Sequence, residues 1–212
     1  MKKNERLIRI EQAGIVAVVR ENSGKLAYEA AKAVVSGGIK GIEVTFSVPH
    51  ADQVIADLKS EYQNDPTVTI GAGTVLDSVT ARLAIMAGAD FVVSPSFDQA
   101  TAEICNLYQV PYVPGCMTIT EIQQAMKSGA DVVKLFPANN FTPQFIKAAK
   151  APLPHVNIMP TGGINLDNLA DWKQAGAVAA GVGGNLFKGV ADNNFDLVMR
   201  TAEKYMEVWQ EN

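Results

Sequence analysis

The stretch Ser128-Gly129-Ala130-Asp131-Val132-Val133-Lys134-Leu135-Phe136-Pro137 joins a helix end, a glycine and a β-branched run with a lysine in its middle. The same junction recurs at Ser36-Gly37-Gly38-Ile39, Ala87-Gly88-Ala89-Asp90 and Ala175-Gly176-Ala177-Val178. A glycine there fits the left-handed position that closes a helix. Glycines 38, 88, 129 and 176 lie 50, 41 and 47 residues apart, which is two strand–helix units per step. Five residues past each glycine stand Glu43, Val93, Lys134 and Gly181. Alternate strands of a closed parallel sheet contribute side chains to one interior layer. In that register an acid and an amine meet inside the molecule, and Gly181 leaves space beside them. The competing reading is that the repeat is fortuitous and both charges sit at strand ends in water.

Working outward, β-branched runs recur at Ile15–Val19, Gly41–Phe46, Thr67–Ile70, Asp90–Val93, Val110–Val113, Asp131–Phe136, His155–Met159 and Val178–Val182. Segments of helical periodicity separate them, among them Ala27–Val35, Val54–Tyr62, Ala81–Ala87 and Ile122–Met126. Strict alternation of strand and helix implies a parallel sheet with helices outside. Eight units in 212 residues fit a single α/β domain over 1–212, a (β/α)8 TIM barrel. A helix at Lys3–Glu11 is extra at the N-terminus, and another at Phe195–Trp209 closes the chain. An open doubly wound sheet is the alternative, but no Gly-x-Gly-x-x-Gly follows the first strand.

Composition narrows the function. A net charge of −4 leaves no basic surplus for a phosphate backbone, so no nucleic-acid partner is expected. The longest apolar stretches, Gly14–Val19 and Ala175–Gly184, fall short of the roughly 20 residues that span a bilayer. Glu5, Arg9 and Glu11 interrupt any signal-peptide core after Lys2-Lys3. Two cysteines and no Cys/His cluster argue against a disulfide scaffold or a zinc site. No membrane contact, no metal and no cofactor are expected, and the expected location is cytoplasmic.

Alternation puts Val132, Lys134 and Phe136 on one face, with Val133 and Leu135 toward the helices. Burial among apolar groups disfavours an ammonium. An uncharged lysine amine attacks a carbonyl to form a Schiff base. Glu43, in Gly41-Ile42-Glu43-Val44-Thr45-Phe46, can serve the proton transfers of that chemistry. A structural Lys134–Glu43 ion pair is the plainer reading, and the two are compatible. His50 and His155 belong to no ligand-spaced motif.

The seventh strand runs into Met159-Pro160-Thr161-Gly162-Gly163-Ile164 and the eighth into Gly181-Val182-Gly183-Gly184-Asn185. Loops at these places in (β/α)8 enzymes bind phosphate through backbone N–H groups and a following helix N-terminus. Tight turns also use Gly-Gly pairs. Gly71-Ala72-Gly73-Thr74 and Pro114-Gly115-Cys116-Met117-Thr118 read as further loops, with Thr74 at the mouth. Thr118 and Glu121 have the spacing of a capping box. Arg20 ends the first strand as a candidate carboxylate ligand or a plain surface residue.

Taken together, Ile15-Val16-Ala17-Val18-Val19-Arg20, Gly41-Ile42-Glu43-Val44-Thr45, Gly71-Ala72-Gly73-Thr74, Val133-Lys134-Leu135-Phe136-Pro137 and Pro160-Thr161-Gly162-Gly163-Ile164 resemble the class I 2-keto-3-deoxy-6-phosphogluconate and 4-hydroxy-2-oxoglutarate aldolase family. The resemblance covers nearly the whole chain. It implies a (β/α)8 homotrimer that reversibly cleaves a 2-keto-4-hydroxy acid to pyruvate and an aldehyde. It assigns Lys134 the Schiff base, Glu43 the acid/base role and Thr74 the pyruvate carboxylate, for which Arg20 is a candidate by its place at the strand end. Gly162, Gly163, Gly183, Gly184 and Asn185 are expected at the phosphate, and Pro95, Phe136 and Thr161 along the pocket.

Two positions depart from better-known members. Ser47 stands where many carry a carboxylate-binding arginine, and Asn185 where a serine often meets the phosphate. Ser47 is expected to help start a helix at Pro49. The favoured reading is cleavage of 2-dehydro-3-deoxy-6-phosphogluconate; 4-hydroxy-2-oxoglutarate or a related sugar acid is the alternative substrate. A metal-assisted aldolase or sugar-phosphate isomerase on the same barrel, or a non-catalytic sugar-phosphate binder, are the remaining alternatives.

Overall fold

The computed structural model describes residues 2–211; Met1 and Asn212, the ends of the expected domain, lie outside the described residues. Helix α1 (Lys2–Ala13) leads into β1 (Ile15–Val19), α2 (Gly24–Ser36), β2 (Gly41–Thr45), α3 (Ala51–Glu61) and β3 (Thr69–Gly73). Then come α4 (Ser78–Met86), β4 (Val92–Val93), α5 (Gln99–Leu107), β5 (Tyr112–Val113), β6 (Gly115–Cys116) and α6 (Ile119–Lys127). The last third holds β7 (Val133–Leu135), α7 (Gln144–Lys150), β8 (Ile158–Pro160), α8 (Leu169–Gln174), β9 (Ala180–Val182) and α9 (Phe195–Glu211). No described helix is long and apolar enough to cross a membrane.

Every strand pairing is parallel, in a curled sheet of two hydrogen-bonded parts, β5-β4-β3-β2-β1-β9 and β6-β7-β8. Only Pro114 separates β5 from β6, and proline has no N–H to give to a ladder. A single parallel bridge, Thr161 to Gly181, joins the end of β8 to β9. The fifth expected strand is therefore shorter, Tyr112–Val113, and Gly115-Cys116, expected as loop, forms a strand of its own that pairs with Lys134 and Leu135.

Gly71-Ala72-Gly73 is likewise strand and not loop. The reason is crowding inside the curl. A Cβ on Gly71 would lie 2.5 Å from Phe91 Cδ2, and one on Gly73 the same distance from Glu43 Cγ. These glycines make room for neighbours' side chains.

The helix ends follow the sequence closely. Gly38, Gly88, Gly129 and Gly176 have φ of 96°, 94°, 89° and 101°, the left-handed closure expected of each. Ser23, Asp77, Asp98 and Thr118 cap helix N-termini through their side chains, and Thr118 with Glu121 completes the capping box.

Two layers of core result. Ile15, Ala17, Ile42, Val44, Val133 and Leu135 face the helices. Val16, Phe91, Val93, Val113, Val132 and Met159 fill the inside of the curl, with Ile10 of α1 packed beneath them. α1 thus seals the end from which the strands start. Lys3 pairs with Asp131 at 2.8 Å and holds it there. Side chains above this plug face the opposite end.

Candidate active site

Lys134 sits one inward position above Val132 on β7, in register with Gly115 and Met159. Its side chain is 6% exposed. Nζ lies 3.8 Å from Glu43 Oε1 and 4.8 Å from the centre of the Phe136 ring. Glu43, on β2, is fully buried, and neither of its carboxylate oxygens accepts a hydrogen bond. The acid and the amine counted from the repeat therefore face each other, just beyond hydrogen-bond reach. Val93, from the same count, lies inside the curl as well.

Gly181 departs from its expected part. A Cβ there would run into Thr161, lying 2.8 Å from Cγ2. The space it leaves is taken by Thr161, whereas Gly73 is the glycine that accommodates Glu43. Thr161 is buried and its Oγ1 has no hydrogen-bond partner.

At the mouth, Arg20 links three strand ends. Its Nη1 donates to Ser47 Oγ at 3.0 Å and its Nη2 to Thr74 Oγ1 at 3.1 Å. Thr45 Oγ1 donates to Val19 O at 3.1 Å and lies 2.8 Å from Ser47 Oγ. Ser47 does not start the next helix: α3 begins at Ala51, and His50 precedes it without a side-chain cap. Ser47 instead spends its hydroxyl on Arg20 and Thr45. Thr74 holds φ at +55°, a left-handed conformation uncommon for a β-branched residue.

A cavity of about 690 Å³ opens beside this network, bordered by Arg20, Phe136, Thr161, Gly162, Gly163, Gly183, Gly184 and Asn185. Gly162 and Gly163 have φ of 96° and 76°. No atom lies within 4 Å of where a Gly184 Cβ would stand, so that glycine faces open space. The helical anion site expected after these loops is reduced. Gly184–Phe187 is a single 3-10 turn, and α8 begins only at Leu169. What remains is the backbone of the two glycine loops.

Pro95 does not border this cavity, and neither do Lys134, Glu43 or Thr74; the Pro95 carbonyl oxygen fills the place where a side chain on Gly115, the register partner of Lys134, would be. Lys188, unremarked in the sequence reading, does border it. The signal was available, since it is the cation nearest the second glycine pair.

The family model for KDPG and KHG aldolase matches residues 7–201. The chain is 39% identical over 164 residues to a 2-dehydro-3-deoxy-phosphogluconate aldolase of Treponema pallidum (strain Nichols), covering 77% of each. It is 30% identical over 198 residues to the 2-dehydro-3-deoxy-6-phosphogalactonate aldolase of Escherichia coli (strain K12), covering 93% of this chain and 95% of that one. In fold it matches the KDPG aldolase of Legionella pneumophila, solved with pyruvate captured as a covalent carbinolamine. The TM-score is 0.84 at 24% identity, over 94% of this chain and 96% of that one. With its family model matched almost from end to end, the chain belongs to the KDPG and KHG aldolase family.

Proposed function

We propose that this protein is a Schiff-base aldolase that reversibly cleaves 2-dehydro-3-deoxy-6-phosphogluconate to pyruvate and glyceraldehyde 3-phosphate. One observation carries the reading: a shielded lysine amine lies 3.8 Å from a fully buried carboxylate that has no hydrogen-bond partner. A buried carboxylate left unsatisfied is costly, and chemistry on a bound molecule is a reason to keep one.

The steps follow from those two groups. The amine of Lys134 adds to the C2 ketone to give a carbinolamine; Glu43 delivers a proton to its hydroxyl, which leaves as water, so that the iminium forms and Glu43 is left as the carboxylate. Glu43 takes the C4 hydroxyl proton as the C3–C4 bond breaks, and the bond's electrons collapse into the iminium to give an enamine. The aldehyde departs. Glu43 returns its proton to C3, and water releases pyruvate from Lys134.

Thr74 and Arg20 hold the carboxylate, while Gly162, Gly163, Gly183, Gly184 and Asn185 surround the phosphate. Phe136 and Thr161 shape the pocket between them. Such contacts, remote from the reacting carbons, orient the substrate. The chemistry asks for no cofactor.

The same reading takes the curled sheet as one closed (β/α)8 barrel and one domain. The continuity of β5 and β6 across Pro114 and the Thr161–Gly181 bridge support it. It also takes the protein as a cytoplasmic homotrimer. The apolar stripe of Leu76, Val79, Leu83 and Met86, each between 48% and 71% exposed, supports a contact between copies.

Borohydride reduction with pyruvate, followed by peptide mass analysis, tests the chemistry. The adduct is expected on Lys134, with activity unaffected by chelators. An adduct elsewhere, or none, overturns the mechanism. Equal or better cleavage of 4-hydroxy-2-oxoglutarate would move the assignment to that substrate.

A further inference from the structure

Two cations border the 690 Å³ cavity, Arg20 and Lys188, and they are in different states. Arg20 is engaged by Ser47 and Thr74. The side-chain ammonium of Lys188 makes no hydrogen bond and no ion pair among the described residues.

Its base is nevertheless well fixed. Leu186 and Phe187 just before it are buried, which turns Lys188 outward. Gly189 just after it lies against the Asn194 carbonyl, where any side chain would collide, and a Cβ would also stand 3.2 Å from Leu197 Cβ. Lys188 therefore carries a free ammonium on an anchored root, beside Gly184 and Asn185. It also borders a neighbouring cavity of about 330 Å³ that contains Asp167, yet it forms no ion pair with that carboxylate.

The glycine loops offer neutral N–H dipoles. These can orient a phosphate, but they do not neutralise a dianion leaving water. A lysine on a flexible stem is a compact point charge with three donors, suited to a phosphate oxygen. Arg20 also borders the cavity, but its guanidinium is already committed to Ser47 and Thr74.

We propose that Lys188 supplies the counter-charge for the substrate's phosphate and so sets the preference for phosphorylated over unphosphorylated keto acids. The inference rests on the aldolase reading above and revises it in one respect. Recognition at the glycine loops is then not through backbone alone, but also uses the charge that Lys188 carries beside them.

The test compares the parent with K188M and K188R on 2-dehydro-3-deoxy-6-phosphogluconate and on the same six-carbon acid without its phosphate. K188M is expected to lower kcat/KM for the phosphorylated substrate by about ten- to thirtyfold, mostly through KM. The unphosphorylated substrate should stay within about twofold, and K188R should recover most of the loss. The difference between parent and K188M should shrink as salt is raised, because the lysine is exposed.

Equal losses on both substrates, or none on either, would overturn the inference. Calorimetric titration with glycerol 3-phosphate keeps it separate from the aldolase reading. If the parent cleaves neither acid, the aldolase reading falls, but a tenfold weaker affinity in K188M still upholds Lys188 as the anion's partner. Equal affinity in parent and K188M, or no binding by either, refutes it.

Discussion

Adding one methyl group at Gly73 tests how much depends on where Glu43 stands. A Cβ there would lie 2.5 Å from Glu43 Cγ and 2.6 Å from Cδ. Carbon–carbon contacts settle near 3.5–4.0 Å, so the side chain of Glu43 must retreat by about 1 Å. Glu43 is fully buried, so it has no solvent to retreat into, and any shift changes its 3.8 Å separation from Lys134. A misplacement of about 1 Å at a reacting group costs on the order of a hundredfold in rate. Overpacking a filled interior costs about 1–3 kcal/mol of stability. Gly73→Ala is therefore expected to lose about two orders of magnitude in kcat while still folding.

Gly71→Ala provides the control. Its methyl would meet Phe91, 2.5 Å from Cδ2, one layer below the site. The loss of stability should be similar, with activity within several-fold of the parent. Pyruvate release coupled to lactate dehydrogenase measures turnover, and thermal unfolding measures the fold. The reasoning is refuted if Gly73→Ala, correctly folded, works within fivefold of the parent. It is equally refuted if the two variants lose activity alike.

Glu43→Gln should keep the fold, because the amide is nearly isosteric, but with a lower melting temperature as the buried pair with Lys134 is lost, and turnover should fall 10²–10⁴-fold in the coupled assay. Gly163→Val should abolish the preference for the phosphorylated substrate and lower stability. It strains a backbone at φ +76° and brings Cβ to 2.8 Å from Asn139 Cβ. Asn185→Ala should change the ratio of kcat/KM values only mildly.

The backbone N–H of Met117 donates to Glu121 at 2.8 Å and holds that carboxyl below its usual range. A depressed folded value means the stabilisation is present above about pH 4.3 and is lost as pH falls through the lower value. The melting-temperature gap between the parent and Glu121→Gln should therefore close on acidification from about pH 6 to about pH 3. A gap that persists in acid would assign the effect to hydrogen-bond geometry instead of charge.

The facing of Glu43 and Lys134 could be read from spacing alone, because helix-closing glycines mark strand starts and parallel strands in register share layers. The same arithmetic failed for Gly181. Counting fixes a residue's level, but not which neighbour leans into the space it leaves, and here that neighbour is Thr161. Gly71-Ala72-Gly73 was misread because glycine signals turns when viewed one residue at a time. Its reason here, the bulk of Phe91 and Glu43, comes from other strands. Ser47 was read locally as a helix starter, while its partners, Arg20 and Thr45, come from the ends of β1 and β2. Pro95 is placed by resemblance, and its position depends on how closely its own carbonyl approaches Gly115.

The left-handed backbone of Thr74 sets heat tolerance against turnover. A β-branched residue at φ +55° carries about 1–3 kcal/mol of strain that glycine would release. Thr74→Gly should therefore raise the melting temperature, and it removes the hydroxyl that Arg20 grips. A library of variants sorted by survival at high temperature alone should drift toward glycine at this position. Its survivors would be robust proteins in which Arg20 has lost one of its two anchors, and on the function proposed above a parallel screen for pyruvate release would expose them.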